Sequence, residues 1–271
     1  MKIETERLFL REMTEADYDI LYTVLADSDI MQHYPYTFDA ARVKNWIAKN
    51  RERYRVFGFG LWAVCLKEND KMIGDCGLTM QNIDGTILPE IGYHIAKSHQ
   101  RNGYAKEAAH AVLDWTFNNT PFRAVYSYMK KVNIPSSATA LANGMHRIRQ
   151  FVDSEGENTV VYGIKREEWL KFEYENQANI LRSNIEKIHT TPMGEERIHK
   201  NLQIEDFDTV EYCKALIASE NCRMNRQGKN WYCENHGVRI TVNADNYTII
   251  TAHRTAQAKQ GEKHDANKIK I

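Results

Sequence analysis

Long apolar runs are missing from this sequence. The chain has 271 residues, yet no hydrophobic stretch approaches the roughly 20 residues that a membrane-spanning helix needs. Its first ten residues, MKIETERLFL, alternate charged and apolar side chains, unlike the apolar segment of a secretory signal peptide. The sequence therefore predicts a cytoplasmic protein without a membrane partner.

Cysteine is scarce and lacks the spacing of a metal site. The five cysteines are an odd number, and none of them forms a CxxC pair. Zinc sites need ligands paired at such short spacing, so we expect no metal site. We predict instead that these thiols are free and buried. They are Cys65, Cys76, Cys213, Cys222 and Cys233.

An excess of charge of either sign is also absent. The 36 Lys and Arg residues balance the 36 Asp and Glu residues, so no global field attracts nucleic acid or an anionic membrane. Nucleic acid is accordingly not expected as a partner, although the balanced net charge does not exclude a local basic patch. Hydrophobic residues make up 42% of the chain, which is enough for a packed core.

Hydrophobic periodicity indicates strands and helices in the first part of the chain. Strands are predicted at residues 3–11, 60–66, 72–78, 91–95, 122–129 and 160–164. Helices are predicted at about residues 14–25, 43–54, 103–118 and 133–144, and a short one begins near residue 165.

A second unit follows. A polar helical pattern at residues 173–189 predicts a connecting helix. Residues 190–254 predict helices and then strands at residues 231–234, 239–242 and 247–251, separated by turns that contain Asn and Gly. We therefore expect a small α+β domain over residues 190–254 and a polar tail over residues 255–271.

The most informative stretch is PEIGYHIAKSHQRNGYAKEA, residues 89–108. A strand-like run gives way to a polar turn, and an Ala-rich helix follows. The first N–H groups of a helix have no intrahelical partners, and the helix dipole adds positive charge there. Gly103 and Ala105 carry little or no side chain, so a phosphate can approach the backbone. The turn predicts an anion site, with a plain strand-to-helix turn as the alternative.

Other motifs accompany this turn in a fixed order. Gln100-x-x-Gly103-x-Ala105 lies between an opening IETERLFLREMTEAD and the later segments Asn133-x-x-Ser136, Asn143-Gly144-Met145 and Ile164-x-x-Glu167-x-Trp169. Together they resemble the GNAT superfamily of acyl-CoA-dependent N-acyltransferases, in particular its RimJ/RimL-like branch. The resemblance covers about residues 1–172. It implies an α/β fold with a mixed, mostly antiparallel twisted sheet flanked by helices.

The resemblance also implies acetyl-CoA as co-substrate and no metal. Backbone amides of the loop at residues 100–105 would bind the CoA pyrophosphate, and Arg101 would add charge there. The strand at residues 91–95 would diverge from its neighbour, pair with pantetheine and offer an amide near the thioester, at or near Ile95. Asn133 would contact pantetheine or order its turn. The implied co-substrate contacts are Ile95, Gln100, Arg101, Asn102, Gly103, Tyr104, Ala105 and Asn133.

Acyl transfer to an amine needs a base and a proton donor for the leaving thiolate. Glu90 resembles the family position from which a carboxylate often acts as base, with a surface charge at the strand end as the alternative. His94 shares its strand face and is a second candidate base or a histidine with a structural role. Ser136 is either the acid or an ordinary helix cap. Other members of the branch often use a tyrosine as acid, and none stands near residue 140.

Aromatic residues mark the expected acceptor side. Tyr34, Tyr36, Phe59 and Tyr128 are the candidate acceptor-binding residues, with Phe38 and Phe57 nearby in sequence. Aromatic faces suit an ammonium group, and hydrophobic packing is the alternative explanation.

The favoured function is transfer of acetyl from acetyl-CoA to an amine by direct attack. The acceptor would be a protein N-terminus, a polyamine or an amine-bearing small molecule, and a homodimer stays open. Two other functions remain: a non-catalytic acyl-CoA-binding regulator, or a C-terminal domain that binds or cleaves RNA. The RNA hypothesis depends on a faint similarity of residues 247–254 to the last strand of some ribonucleases. Its phosphate-contacting candidates are Lys229, Arg239, His253 and Arg254.

Overall fold

The computed structural model describes residues 2–204 and 208–255. The chain divides into two compact units, with the division between Trp169 and Leu170. Of the predicted polar tail, residues 256–271 lie outside the described residues. Among the helices of the described ranges, none combines the length and the apolarity required to cross a membrane.

The first unit is built on an eight-stranded sheet with the order β1-β2-β3-β4-β5-β6-β8-β7. Its strands are β1 Lys2–Glu4, β2 Leu8–Arg11, β3 Leu61–Leu66, β4 Met72–Ile83, β5 Thr86–Ile95, β6 Ala124–Lys130, β7 His146–Val152 and β8 Asn158–Lys165. Its helices are α1 Tyr18–Leu25, α2 Ala40–Phe57, α3 Tyr104–Asn119 and α4 Ile134–Ala142. Neighbouring strands are antiparallel except β5 and β6. The predicted mixed, mostly antiparallel sheet flanked by helices is confirmed.

The strand prediction for this unit was wrong in three respects. Residues 3–11 do not form one strand, because the chain reverses after Thr5 and β1 pairs with β2. The Thr5 side chain stabilises this turn by accepting from the Leu8 amide at 2.8 Å. β4 and β5 are longer than predicted and form a hairpin at Asp84-Gly85. β7 was missed, since its side chains are almost all exposed and give no clear alternation.

The second unit has a four-stranded antiparallel sheet with the order β12-β11-β10-β9. Its elements are α5 Arg166–Ser183, which begins before the division, α6 Pro192–Leu202, α7 Thr209–Ala218, β9 Arg223–Gln227, β10 Asn230–Asn235, β11 Val238–Asn243 and β12 Ile249–Arg254. The short helix predicted near residue 165 and the connecting helix are therefore one helix, and β9 was missed. The small α+β fold of this region is confirmed, and all five cysteines are free and buried, as predicted.

Helix α6 covers the edge of this small sheet. Arg197 donates to the Ile250 carbonyl at 2.7 Å, and Asn201 donates to the Ala252 carbonyl at 3.2 Å. Both carbonyls belong to β12, the edge strand. These side chains satisfy backbone groups that an open edge would expose to another chain.

Candidate active site

Strands β5 and β6 diverge in the middle of the large sheet. They pair at one position, Glu90 opposite Tyr126, and no further pairing between these two fully described strands is found. Residues 91–95 continue to pair with β4 on their other side. The edge that faces β6 therefore offers backbone groups without a strand partner, which is the divergence that the family resemblance implied.

The loop after β5 leads directly into α3. Gly103 is the N-cap residue and has a left-handed φ of 80°, a conformation that suits glycine. No described side chain caps the first turn of α3. The Gln100 side chain donates to the Ile95 carbonyl at 2.9 Å, and Asn102 donates to the Gln100 carbonyl at 3.1 Å. The loop is thus internally ordered, while the helix N-terminus stays available to an anion.

Arg7 holds this loop from the side, a contact that the sequence did not indicate. Its NH1 donates to the Asn102 carbonyl at 2.9 Å and its Nε to Glu107 at 2.7 Å. The guanidinium also lies 4.6 Å from the centre of the Tyr104 ring. Arg7 belongs to the opening motif, so that motif connects the first hairpin to the start of α3.

Strand alternation places Glu90, Gly92 and His94 on one face of β5. The residue opposite Glu90 on β4 is Thr79, and the residue opposite His94 is Asp75. Cross-strand neighbours on one face lie close together, and both pairs are hydrogen-bonded. Thr79 Oγ1 donates to Glu90 Oε2 at 3.1 Å, and Asp75 Oδ1 lies 2.7 Å from His94 Nδ1.

Glu90 is a buried carboxyl group rather than a surface charge. Only 7% of the residue is exposed. Burial raises its pKa to about 7, against the opposing effects of the Thr79 hydrogen bond and the charges of His94 and Arg53. A carboxylate whose pKa lies near neutrality can both take up and release a proton there.

His94 has a partner on each ring nitrogen. Asp75 lies at Nδ1, and the Tyr34 hydroxyl lies 2.9 Å from Nε2. Burial lowers the pKa of His94, but the charge and hydrogen bond of Asp75 outweigh burial, so the pKa is raised overall. Trp46 Nε1 donates to the other oxygen of Asp75 at 2.8 Å. Sequence reasoning missed Asp75, although an acidic residue inside the apolar run MIGDCGL was a signal.

The proposed acid, Ser136, lies on the opposite face of β5. Its hydroxyl is 3.0 Å from the hydroxyl of Tyr93. Burial raises the pKa of Tyr93 to about 12. Asn133, not Ser136, is the N-cap of α4, because its side chain accepts from the Ser136 amide at 3.2 Å. A tyrosine therefore does lie beside the candidate acid, supplied by β5 instead of by α4.

Most of the predicted acceptor aromatics come together. Tyr34, Tyr36 and Phe38 form mutual ring contacts, and Tyr34 also contacts the His94 ring. Burial, and then the charge of Glu90, raise the pKa of Tyr128 to about 12. Phe59 is buried elsewhere, where it packs against Phe57 and Phe122.

The residues of the RNA hypothesis do not form one cluster. Arg239 and His253 are cross-strand neighbours, but Arg239 donates to Glu234 at 2.6 Å, which balances its charge. Lys229 precedes β10 at the opposite end of the sheet, roughly 16 Å along the strand at 3.3 Å per residue. The structure therefore offers no combined basic site at these four positions.

Within the described ranges, no group of three or more His, Cys, Asp or Glu side chains could hold a metal ion.

Each of the two parts of the chain is similar to a known protein family. Residues 182–253 match a family described as protein of unknown function (DUF3781). A Bacillus subtilis protein, YkkB, is 34% identical over 146 residues, which are 54% of this chain and 85% of that protein. A GNAT-family acetyltransferase structure from Bacillus anthracis has a TM-score of 0.54 and 25% identity, covering 62% of this chain and 99% of that one.

A structure of RimL, the ribosomal L7/L12 α-N-protein acetyltransferase, in complex with CoA shares the fold. Its TM-score is 0.52 at 17% identity, covering 61% of this chain and 98% of that one. Residues 7–146, just over half of the 271 residues, match the acetyltransferase (GNAT) domain family. The chain therefore belongs to the GNAT acetyltransferase family and is an acyl-CoA-dependent acetyltransferase.

Proposed function

We propose that this enzyme transfers acetyl from acetyl-CoA to a primary amine by direct attack in a ternary complex, with Glu90 as the base. The observation that carries the proposal is the buried Glu90 carboxyl group, with a pKa of about 7, at the point where β5 and β6 diverge. Glu90 lies at the point where β5 and β6 diverge, because it is itself the last β5 residue that pairs with β6.

The residues present fit acetyl-CoA. The α3 N-terminus and the loop at residues 100–105 would hold the pyrophosphate, with Arg101 adding charge, and the free edge of residues 91–95 would pair with pantetheine. Acetyl-CoA supplies the activated acetyl group and a thiolate leaving group. Ile95 or a neighbour would donate an amide toward the thioester oxygen, and Asn133 orders the turn that begins α4.

The two faces of β5 divide the proton chemistry. Glu90 faces the aromatic group at residues 34–38 and would take a proton from the acceptor ammonium. Ser136, bonded to Tyr93 on the other face, would donate a proton to the leaving sulfur. Glu90 would thus act on the acceptor amine from one face of β5, and Ser136 would act on the sulfur of CoA from the other face.

The acceptor side favours an amine in its ammonium form. Burial, and then the negative charge of Glu90, raise the pKa of both Tyr34 and Tyr128, and aromatic faces attract cations. The opening and loop motifs are similar to the RimJ/RimL-like branch, and RimL is an α-N-protein acetyltransferase of ribosomal L7/L12. We therefore rank a protein N-terminus first, ahead of a polyamine or an amine-bearing small molecule.

We also propose that residues 1–172 form the complete acyl-transfer domain and that residues 190–254 form a separate α+β domain joined by the helical segment 173–189. The hydrophobic core of the second unit supports a separate domain, since its residues all lie between Ala178 and Ala252. This core includes Ala178, Leu181 and Ile188, so the helical segment packs with the C-terminal domain.

The variant Glu90→Gln tests the base. Removing a general base costs about 10² to 10⁴-fold in rate, so we expect kcat/KM to fall by that factor. In the wild type kcat/KM should rise with pH through about 7, where Glu90 loses its proton, and the variant should lack that rise. Glu68→Gln, at the exposed turn after β3, is the matched control. Equal kcat/KM of Glu90→Gln and wild type at all pH values would refute the role.

A further inference from the structure

A chain of hydrogen bonds links the buried interior to the acceptor side. It runs from Trp46 Nε1 to Asp75, from Asp75 to His94 Nδ1, and from His94 Nε2 to the Tyr34 hydroxyl, with distances of 2.8, 2.7 and 2.9 Å. Asp75 is fully buried and His94 is 9% exposed, whereas Tyr34 is 37% exposed. The chain thus ends on a partly exposed residue, and burial raises the pKa of its hydroxyl well above the usual range.

The partners of His94 fix which nitrogen can titrate. An ionised carboxylate only accepts hydrogen bonds, so Asp75 keeps a proton on Nδ1 in both charge states of the ring. Trp46 occupies the other oxygen of Asp75 and holds the carboxylate in place. Nε2 is then the position that gains or loses a proton. The neutral ring accepts the Tyr34 O–H, and the charged ring donates to the Tyr34 oxygen.

The absence of a side chain at Gly92 leaves room for the Glu90 carboxylate. A Cβ at Gly92 would lie 3.3 Å from both carboxylate oxygens of Glu90, so the carboxylate lies over this glycine. His94 is the next residue on the same face. The charges of Glu90 and His94 influence each other. An amine that contacts the Glu90 carboxylate from the side of His94 would therefore lie between Glu90 and the His94–Tyr34 pair.

The stoichiometry of the reaction calls for two proton acceptors. A primary ammonium loses two N–H protons when it becomes an amide. The departing sulfur gains one proton from Ser136, which is reprotonated from solvent, so that one proton is released to solvent overall. Glu90 can hold one of the two N–H protons. The other needs a second group that faces the same nitrogen and has access to solvent.

We propose that the Tyr34–His94 pair is this second proton acceptor, with Asp75 and Trp46 as positioning residues. The N–H proton moves to the Tyr34 oxygen while the proton of Tyr34 moves to His94 Nε2. The imidazolium, stabilised by Asp75, later returns its proton to Tyr34, which releases one to solvent. This inference rests on the proposed function of Glu90.

Kinetics of Tyr34→Phe and His94→Gln test the relay. We expect kcat to fall at least tenfold in both, with the Kd for acetyl-CoA unchanged. Tyr22→Phe removes a hydroxyl from the 39% exposed Tyr22 of α1 and is the control for the chemical change. Thermal unfolding of each variant shows that it is folded.

The pH profile separates a chemical role from a structural one. Four residues face His94: Asp75 on β4, Glu90 on β5, Tyr34 before α2 and Trp46 on α2. The charge of Arg53 on α2 opposes the rise that burial causes in the pKa of Glu90. In the wild type both Glu90 and His94 must lose a proton, so log kcat/KM should rise with a slope of about two at low pH. The slope should be about one in His94→Gln. Asp75→Asn should lower the pKa of His94, and NMR titration of the His94 ring measures this change.

The outcomes distinguish the relay from the proposed function. If Tyr34→Phe and His94→Gln keep the wild-type kcat and slope while Glu90→Gln is impaired, the relay is wrong and the function of Glu90 stands. If the wild type transfers acetyl to no amine, both proposals fail together.

Discussion

At the scale of single residues, Glu90 is held in a place that disfavours its charge. Burial raises its pKa from 4.5 to about 7. The protonated form of Glu90 is therefore favoured in the folded state. Its contribution to the free energy of unfolding is complete at pH values below the pKa of Glu90 in the unfolded chain. It is lost as pH rises through about 7, because the folded protein must then ionise a buried group.

Glu90→Gln should consequently stabilise the fold at alkaline pH while it impairs catalysis. The gain relative to wild type should grow between about pH 5 and pH 8.5, up to about 3 kcal/mol at 1.36 kcal/mol per pKa unit. Urea unfolding at both pH values measures it. A difference between variant and wild type that is the same at both values would contradict the raised pKa of Glu90.

The proposed catalytic residues show what sequence could and could not provide. Glu90 was proposed from its resemblance to a family position, and strand alternation then placed His94 on the same face. Asp75 was missed because its role depends on the register between β4 and β5. That register follows from the two-residue turn Asp84-Gly85, which places residue 75 opposite residue 94. Asp-Gly is a strong hairpin signal, so recognition of this turn would have paired Asp75 with His94.

At the scale of elements, the β5–α3 loop depends on the first hairpin. Arg7 contacts the Asn102 carbonyl, Glu107 and the Tyr104 ring. These contacts fix the loop before a ligand arrives, and a preordered loop lowers the entropic cost of binding.

Arg7→Ala should raise the Kd for acetyl-CoA about tenfold, which corresponds to about 1.4 kcal/mol. The acceptor KM should change little, since Arg7 contacts the β5–α3 loop and not the aromatic residues of the acceptor side. Isothermal titration calorimetry measures the Kd. Arg55→Ala, which removes an exposed cation paired with Glu52 on α2, is the control. An unchanged Kd in Arg7→Ala would mean that the loop keeps its shape unaided.

Element boundaries were predicted well where one face is buried and poorly where burial is absent. β3 and α3 agree with prediction to within a residue or two because their apolar residues follow a clear period. The exposed strand β7 has no such pattern. The break between β1 and β2 was also hidden, since both short strands share the alternation of residues 3–11 and the turn at Thr5 contains no Gly or Pro.

At the scale of the whole molecule, the two units have separate hydrophobic cores. The residues proposed to bind acetyl-CoA and the acceptor all precede residue 137, in the first unit. The sequence placed the end of this part at residue 172, and the structure divides the chain after Trp169. The domain bounds at residues 172 and 190, like a homodimer, stay predictions. The role of the second unit was not predictable, because no chemical motif marks it.

A truncated chain of residues 1–172 should bind acetyl-CoA with a Kd within about twofold of the full chain. Every proposed contact is retained, and a twofold change is only about 0.4 kcal/mol at RT of 0.59 kcal/mol. Calorimetry on both chains, with circular dichroism to establish folding, makes the comparison. A folded truncation that binds much more weakly would show that the second unit contributes to the site.

Bisubstrate kinetics test acetyl transfer most directly. The initial rate of CoA release is measured at varied acetyl-CoA and varied amine, using a peptide N-terminus, a polyamine and a small primary amine in turn. Direct attack in a ternary complex predicts amine-dependent release and intersecting double-reciprocal lines for at least one acceptor. Parallel lines would indicate an acetyl-enzyme intermediate, and release that no amine accelerates would contradict N-acetyl transfer itself.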